Sequence, residues 1–501
     1  MIAIFSQPNR LLGSLIFIAL LGLGFATSWA MQWTGPLIVL AAFMLVLIVL
    51  GVYKSPWLAL LAITFFLPFE RIGSYDVAGI TVRVSQVLAI LLIAAWFARG
   101  IINRDLHFHK NPLTIPFLIF LIINLISITQ AANLERSLLV FGFTVFTIFF
   151  GWMIPQLVTD ETRLRKIINV LLLTAGLVSL FGLWQFFGDL IGLPTEITGL
   201  REHYTKAVFG FPRVQSTALE PLYFANFLLL PISLIYAFFI SRMSKMEPKE
   251  QISKTLGDIP SDQPQARNHG IPRRWLFPLL ILVGLNMVLT VSRGGYLGTA
   301  LLIAVISLFY FRRFFHWKFI LPVGVALIAI WFLAVYALGF GDVFQNNLDT
   351  FTGHVSNVFS GPAYIERIET FEGARRAWMD SPWIGIGPGQ YGPYVSVHPY
   401  VVPEEGWKIV NNEFIELLAE TGILGLIAFV TILSMLIARS IKAVLGASDP
   451  FLRAVMIALL AALLGVIAQY QTFSILYIMH VWFLVGLTVA AQNIILTRKV
   501  E

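Results

Sequence analysis

The chain has 501 residues, of which 58% are hydrophobic and only 12% charged, and its mean hydropathy is +0.82. A soluble domain carries about 25% charged residues, so this chain has too few polar side chains to cover the cores that its length would form in water. It has no cysteine, which excludes disulfides and thiolate metal sites, and its net charge of +7 reads as the loop bias of a membrane protein rather than a nucleic-acid footprint.

Apolar runs long enough to cross a bilayer as helices recur along the whole chain, without the period-2 alternation of barrel strands. The expected fold is all-α: a polytopic transmembrane helix bundle of 12–14 spans, forming one integral-membrane domain over residues 1–501. In chain order the runs fall near 11–28, 35–52, 55–69, 84–98, 113–130, 137–156, 167–187, 219–240, 275–291, 295–311, 318–338, 413–438, 454–471 and 475–496. The first has one Arg before it and small residues from Ala26 to Ala30, as a signal peptide would, but the second follows so closely that an uncleaved anchor is expected. The third and fourth are short, and tilt or re-entry there would give the lower count.

Two connecting segments stand out. Residues 241–274 are rich in Lys, Glu, Asp, Pro, Gln and Ser and read as a flexible loop. Residues 339–411 form the one large segment on the other side. Within it Ile365, Ile368, Phe371, Ala374 and Trp378 recur at helical spacing opposite Glu366, Arg367, Arg375 and Arg376, which predicts an amphipathic helix lying on the membrane or capping the bundle. The turn Gly385-Ile-Gly-Pro-Gly389 ends it. Placing both termini in the cytoplasm (N-in, C-in) puts about 23 of the 34 Lys and Arg residues inside, as the positive-inside rule requires. Segment 241–274 is then cytoplasmic and 339–411 external.

On that external side, Arg213 precedes one span and Arg293 sits in a hairpin between two. Ionisable groups at membrane depth are kept where they line a polar cavity or bind something, so the pair suggests an anion site, with snorkelling to headgroups as the bland alternative. Gly294-Gly295 would let backbone approach a phosphate closely and leave the Arg293 fork free for it. Taken as helix, Asn412, Glu416 and Glu420 share one face. That polar stripe serves either interhelical hydrogen bonding or substrate.

Three stretches together carry a resemblance: Ser292-Arg-Gly-Gly295, Pro382-Trp-Ile-Gly-Ile-Gly-Pro-Gly389, and Asn412-Glu-Phe-Ile-Glu-Leu-Leu-Ala-Glu420-Thr-Gly-Ile-Leu-Gly425. In order and spacing they resemble the O-antigen ligase and polymerase family, integral-membrane glycosyltransferases of the GT-C type. The resemblance implies transfer of a glycan from a lipid pyrophosphate carrier, of undecaprenyl type, to an acceptor hydroxyl at the external face of a bacterial cytoplasmic membrane. It implies no metal and no cofactor. Membrane lipids, a flippase and a chain-length regulator are the partners it suggests. By match to the family's motifs, Arg213 and Arg293 are candidate pyrophosphate ligands, with Arg375 or Arg376 assisting. Asn411, Asn412 and Glu416 are candidate acceptor-binding residues.

The sequence departs from the family at one place. The helix-entry motif of ligases begins with His-Asn, where this chain has Asn411-Asn412. Asn cannot act as a general base, so Glu220 is the first candidate, with Glu420 and His398 behind it. Glu220 could instead simply pair with Arg213. The missing His favours a polymerase of O-antigen or exopolysaccharide repeats over a ligase. A small-anion transporter is the reading from another class; it would call for a midplane site and internal repeats, and the charges here gather at one face. The pair His107-x-His109 and the basic-aromatic run from Arg312 to Lys318 read as structural and interfacial.

Overall fold

The computed structural model describes residues 48–497 apart from 73, 78–79, 105–107, 244–272, 312–361, 405 and 475. The runs near 11–28 and 318–338, most of 35–52, and most of the 241–274 loop lie outside the described residues, as does the first third of 339–411.

The described residues divide into two compact units, one of 48–63 with 87–104 and the other of the described residues in 64–86 and 108–497. In the first, a short helix Ile48–Lys54 meets α1 (Pro56–Phe66) at a bend of 120°. Proline at 56 explains where the bend falls, because it cannot donate into the preceding turn. Most of α2 (Val84–Ile102) belongs here too, and the Arg99 guanidinium donates to the Lys54 carbonyl at 2.9 Å.

The second unit holds the remaining helices: α3 (Thr114–Ser127), α4 (Leu134–Leu157), α5 (Glu161–Leu190), α6 (Pro221–Met243), α7 (Arg273–Leu289), α8 (Arg293–Phe309), α9 (Pro362–Asp380), α10 (Glu413–Gly446), α11 (Pro450–Gln469) and α12 (Met479–Thr497). Seven described helices are long and apolar enough to cross a membrane, and α3, α7 and α8 are shorter apolar helices. Their bounds follow the apolar runs closely. The protein is thus a multi-pass helical membrane protein. On α3, Ile115, Leu118, Ile122 and Leu125 point outward while Phe117, Phe120 and Asn124 are buried, a greasy outer face that lipid would cover and water would not.

α6 and α12 are buried along nearly their whole length. α6 packs on α11, α11 on α8, α12 on α4, and α10 on α3. Polar residues on such central helices have no water to bond, so they must find each other. One addition to the helical plan is a hairpin, β1 (Ser74–Val77) and β2 (Ile80–Arg83), antiparallel with Ser74 opposite Arg83. Alternating Tyr75, Val77, Ile80 and Val82 suit a strand, and the pattern is too short to register beside the spans.

The amphipathic helix is present as α9, with its buried face rotated part-way from the expected one: Ala374 is buried and Phe371 packs on the same cluster. Ile365 and Ile368 are exposed; Thr370, Ala374 and Ala377 are buried against α10. Small residues let two helices approach closely, and this outweighs the size of the isoleucines in choosing the face.

Candidate functional site

The N-termini of α4, α6, α8 and α10 lie at the same end of the bundle as the C-termini of α3 and α11. The Glu413 N–H donates to the Tyr470 carbonyl at 2.9 Å, joining the start of α10 to the end of α11. Asn412 caps α10, its side-chain oxygen accepting from the N–H groups of Phe414 and Ile415 at 3.1 Å each. Asn411, just before it, holds a left-handed backbone (φ 59°), a conformation that Asn tolerates better than most side chains.

α10 breaks at Gly422 (φ 66°, ψ −172°), and the Pro382–Tyr391 segment fills the break. Ile423 and Leu424 donate to the carbonyls of Pro382 and Trp383, while Ile386 and Gly387 donate to those of Ala419 and Glu420. Backbone groups freed by a kink inside a bundle need such partners. The approach is so close that a Cβ at Gly385 would strike the Glu420 carbonyl, and one at Gly422 the Trp383 carbonyl. Glu420 then clamps the loop. Its two carboxylate oxygens accept from the N–H groups of Gly389 (2.7 Å) and Tyr391 (3.0 Å). From the other side, Arg136 donates to the Gly389 carbonyl at 2.6 Å, and Gln390 exchanges two hydrogen bonds with the Asn133 backbone. Glu416 accepts from the Val410 N–H at 2.8 Å. Glu416 and Glu420 are both buried, and both carboxylate hydrogen bonds of Glu420 are to backbone.

The arginines form a separate group. Arg213 is half-buried in the loop before α6, its Nη2 donating to the Val291 carbonyl at 3.2 Å and its guanidinium lying 5.5 Å from the Tyr204 ring. Burial lowers its hold on the proton; Tyr204, Tyr296 and Glu220 oppose that, and Arg293 adds to it. The guanidinium stays charged throughout. Arg293 opens α8, and Ser292 caps that helix by accepting from the Gly295 N–H at 3.1 Å. Burial weakens the Arg293 guanidinium's hold on its proton, and the charge of Arg367 on α9 adds to that. Arg213 thus sits on the turn that leads into Arg293, and Glu220, just before α6, is near enough for its charge to act on Arg213. Glu220 forms no ion pair or side-chain hydrogen bond with the described residues.

Gly294 and Gly295 serve packing. A Cβ on Gly294 would collide with the Thr472 hydroxyl, and one on Gly295 would stand 2.7 Å from the Ala225 Cβ. They seat α8 against α6 and the end of α11.

The three motifs are therefore neighbours in space as well as in order, and residues 278–430 match the family described as O-Antigen ligase. This stretch is an O-antigen ligase family domain. No curated protein matches the chain. The domain contains Arg293, Arg367, the Gly422 kink and its loop, while Arg213 and Glu220 are added from outside it. Its family is that of membrane enzymes joining polysaccharides.

Other residues singled out from the sequence sit apart. Arg375 is exposed and paired in a bidentate bridge with Glu372 at 2.7 and 2.9 Å. Arg376 is exposed on the same helix. His398 is exposed in the loop after the kink-filling segment, within a small turn with Ser396. Among the described residues, no three His, Asp or Glu side chains converge as a metal site would require.

Sequence reasoning missed Arg367, Arg136 and a buried group around Glu70. Arg367 was placed only on a polar face, one turn or more from the arginines that were favoured. Arg136 had a signal of its own: a basic residue in the first turn of an apolar helix, where the helix dipole disfavours a cation.

Proposed function

We propose that the protein polymerises a bacterial surface polysaccharide at the external face of the cytoplasmic membrane. The donor is a glycan on a lipid pyrophosphate, and the acceptor is a sugar hydroxyl of another lipid-linked repeat. The observation that carries this reading is that Arg213 hydrogen-bonds the turn leading into Arg293 at the ends of apolar helices, with Arg367 of α9 near enough for its charge to act on Arg293 and Glu220 just before α6. Like charges repel in a low dielectric, and a dianionic pyrophosphate offsets that cost while its lipid tail lies along the helices.

In the proposed reaction the acceptor hydroxyl attacks the anomeric carbon as the bond to the pyrophosphate oxygen breaks. The leaving pyrophosphate gathers negative charge, and the guanidiniums stabilise it. The hydroxyl proton passes to Glu220, whose oxygens are not engaged by other described residues. Glu420 is spent on the loop and serves as scaffold. Ligation of a finished glycan to a different acceptor is the second reading, supported by the description of the matched family. Asn411 in place of the ligases' His favours polymerisation.

The test is chain extension by the purified protein in lipid nanodiscs, with a lipid-pyrophosphate-linked repeat as both donor and acceptor. Arg293→Ala should lower kcat/KM by about 10²–10³, as loss of one charge-stabilising donor does. Arg293→Lys should recover part of it, since the charge returns without the fork. Wild-type rates in both Arg213→Ala and Arg293→Ala would overturn the pyrophosphate site. Turnover only when another acceptor is supplied would replace polymerase with ligase.

A further inference from the structure

Behind the arginines lies a buried polar chain that the reaction above does not use. Glu70, after α1, is almost fully buried and belongs to the same compact unit as α6 and α12. Its segment is laced to the one carrying Glu220. The N–H groups of Glu70 and Arg71 donate to the Thr217 carbonyl at 3.2 and 3.1 Å, and the Thr217 hydroxyl donates to the Pro68 carbonyl at 2.8 Å. The Leu219 N–H donates to Glu70 Oε2 at 3.3 Å. Arg83, from β2, donates to the Glu70 backbone carbonyl at 3.1 Å.

The other carboxyl oxygen, Oε1, faces Nδ1 of His480 at 3.6 Å. The direction of the chain beyond is fixed by a backbone carbonyl. Gln469 turns its Nε2 to the Leu222 carbonyl (3.4 Å), so its Oε1 accepts from Asn226 Nδ2 (2.7 Å). Asn226 therefore presents Oδ1 to His480 Nε2 at 2.7 Å, and that nitrogen must carry the proton. In the neutral imidazole His480 Nδ1 is then a buried lone pair with no hydrogen bond. An ionised Glu70 would turn a second lone pair toward it. A proton on Glu70 Oε1 removes that lone-pair repulsion across the 3.6 Å gap.

We propose that Glu70 is a positioning residue for Glu220: it holds a proton against His480 Nδ1, orients the Leu219–Glu220 backbone, and keeps the Glu70–Glu220 pair at a single negative charge beside the anionic substrate. This rests on Glu220 as the base. The charged and titratable groups around Glu70 are Arg83 from β2, Glu220 before α6, Tyr223 on α6 and His480 on α12. Burial pushes the Glu70 carboxyl up to about 7, against the pull of Arg83 and the Leu219 N–H and with a small push from Glu220. Below that pH the proton stays. Above it a second negative charge appears next to the pyrophosphate site.

Two measurements test this, one without substrate. Infrared titration of the full-length protein in nanodiscs should show a protonated-carboxyl band that disappears as pH rises through about 7. The band should be retained in Glu220→Gln and lost in Glu70→Gln. His480→Gln, which replaces the nitrogen lone pair, should shift its frequency, and this variant serves if Glu70→Gln does not fold. In turnover, wild-type KM for the lipid-linked donor should rise as pH passes 7, and Glu70→Gln should abolish that rise while kcat keeps its acid limb. A band unchanged in Glu70→Gln, or insensitive to His480→Gln, would overturn the proton assignment whatever the substrate proves to be. A correct band with a wild-type KM profile in Glu70→Gln would overturn the coupling to Glu220. Absence of any transfer in wild type, with the band intact, would instead count against the polymerase reading.

Discussion

At the scale of single residues, ionisable groups at one end of the bundle divide into those that hold structure and those proposed to meet a ligand. Glu420 belongs to the first kind, since both its oxygens accept backbone N–H bonds from the kink-filling loop. Glu420→Gln keeps one acceptor and points an amide N–H₂ at the other donor. It should cost about 1–3 kcal/mol, the range for leaving a buried donor unsatisfied. Thermal unfolding in detergent should show the lower midpoint, and a midpoint equal to wild type would mean that the loop is held without it. Arg213, Arg293 and Glu220 were legible in the sequence because each is a charge at the edge of an apolar run. The role of Glu420 was not, because its partners lie roughly thirty residues earlier in a turn with no periodic signal. Glu70 and His480 are single polar letters far apart in the chain, and only the fold makes them a pair.

At the scale of elements, the family's two C-terminal motifs are one object: a broken helix and the loop that repairs it. Each supplies glycines where the other's backbone passes. Gly385 has φ 71° and faces the Glu420 carbonyl; Gly422 has φ 66° and faces the Trp383 carbonyl. Gly385→Ala combines a strained left-handed alanine with a backbone collision, so it should cost more than about 3 kcal/mol and is expected to reduce folded yield sharply. Gly406→Ala is the control, since its φ is also positive (83°) but no atom stands near the new Cβ. Equal folded yields for the two variants, measured by gel filtration of solubilised protein, would show that backbone strain alone matters there. Helix bounds were readable because apolar length follows bilayer thickness. The break in α10 was not, because a glycine in an apolar run also serves ordinary helix packing. The buried face of α9 was only partly legible for a related reason: hydrophobicity ranks isoleucine first, whereas close approach to α10 adds Thr370 and Ala377 to Ala374 and leaves Ile365 and Ile368 exposed.

At the scale of the whole molecule, the charge count that suggested an orientation also bears on what the site can reach. The basic residues not assigned to the cytoplasm include Arg136, Arg213, Arg293 and Arg367, all at the end where α4, α6, α8 and α10 begin. A positive-inside bias tolerates a minority of external arginines when they have work that lysines in a loop could not do. If that end faces outward, the guanidiniums meet substrates already delivered across the membrane; if it faces inward, the proposed polymerase has its site on the wrong side. The chain's lack of cysteine makes the question directly testable. Val397→Cys places a thiol at an exposed position in the loop next to His398, and Ser448→Cys places one in the exposed turn between α10 and α11, at the opposite end of α10. In intact cells a membrane-impermeant maleimide should label Val397→Cys and leave Ser448→Cys unlabelled until the membrane is opened. The reverse pattern would invert the orientation and remove the arginine cluster from any external lipid-linked glycan.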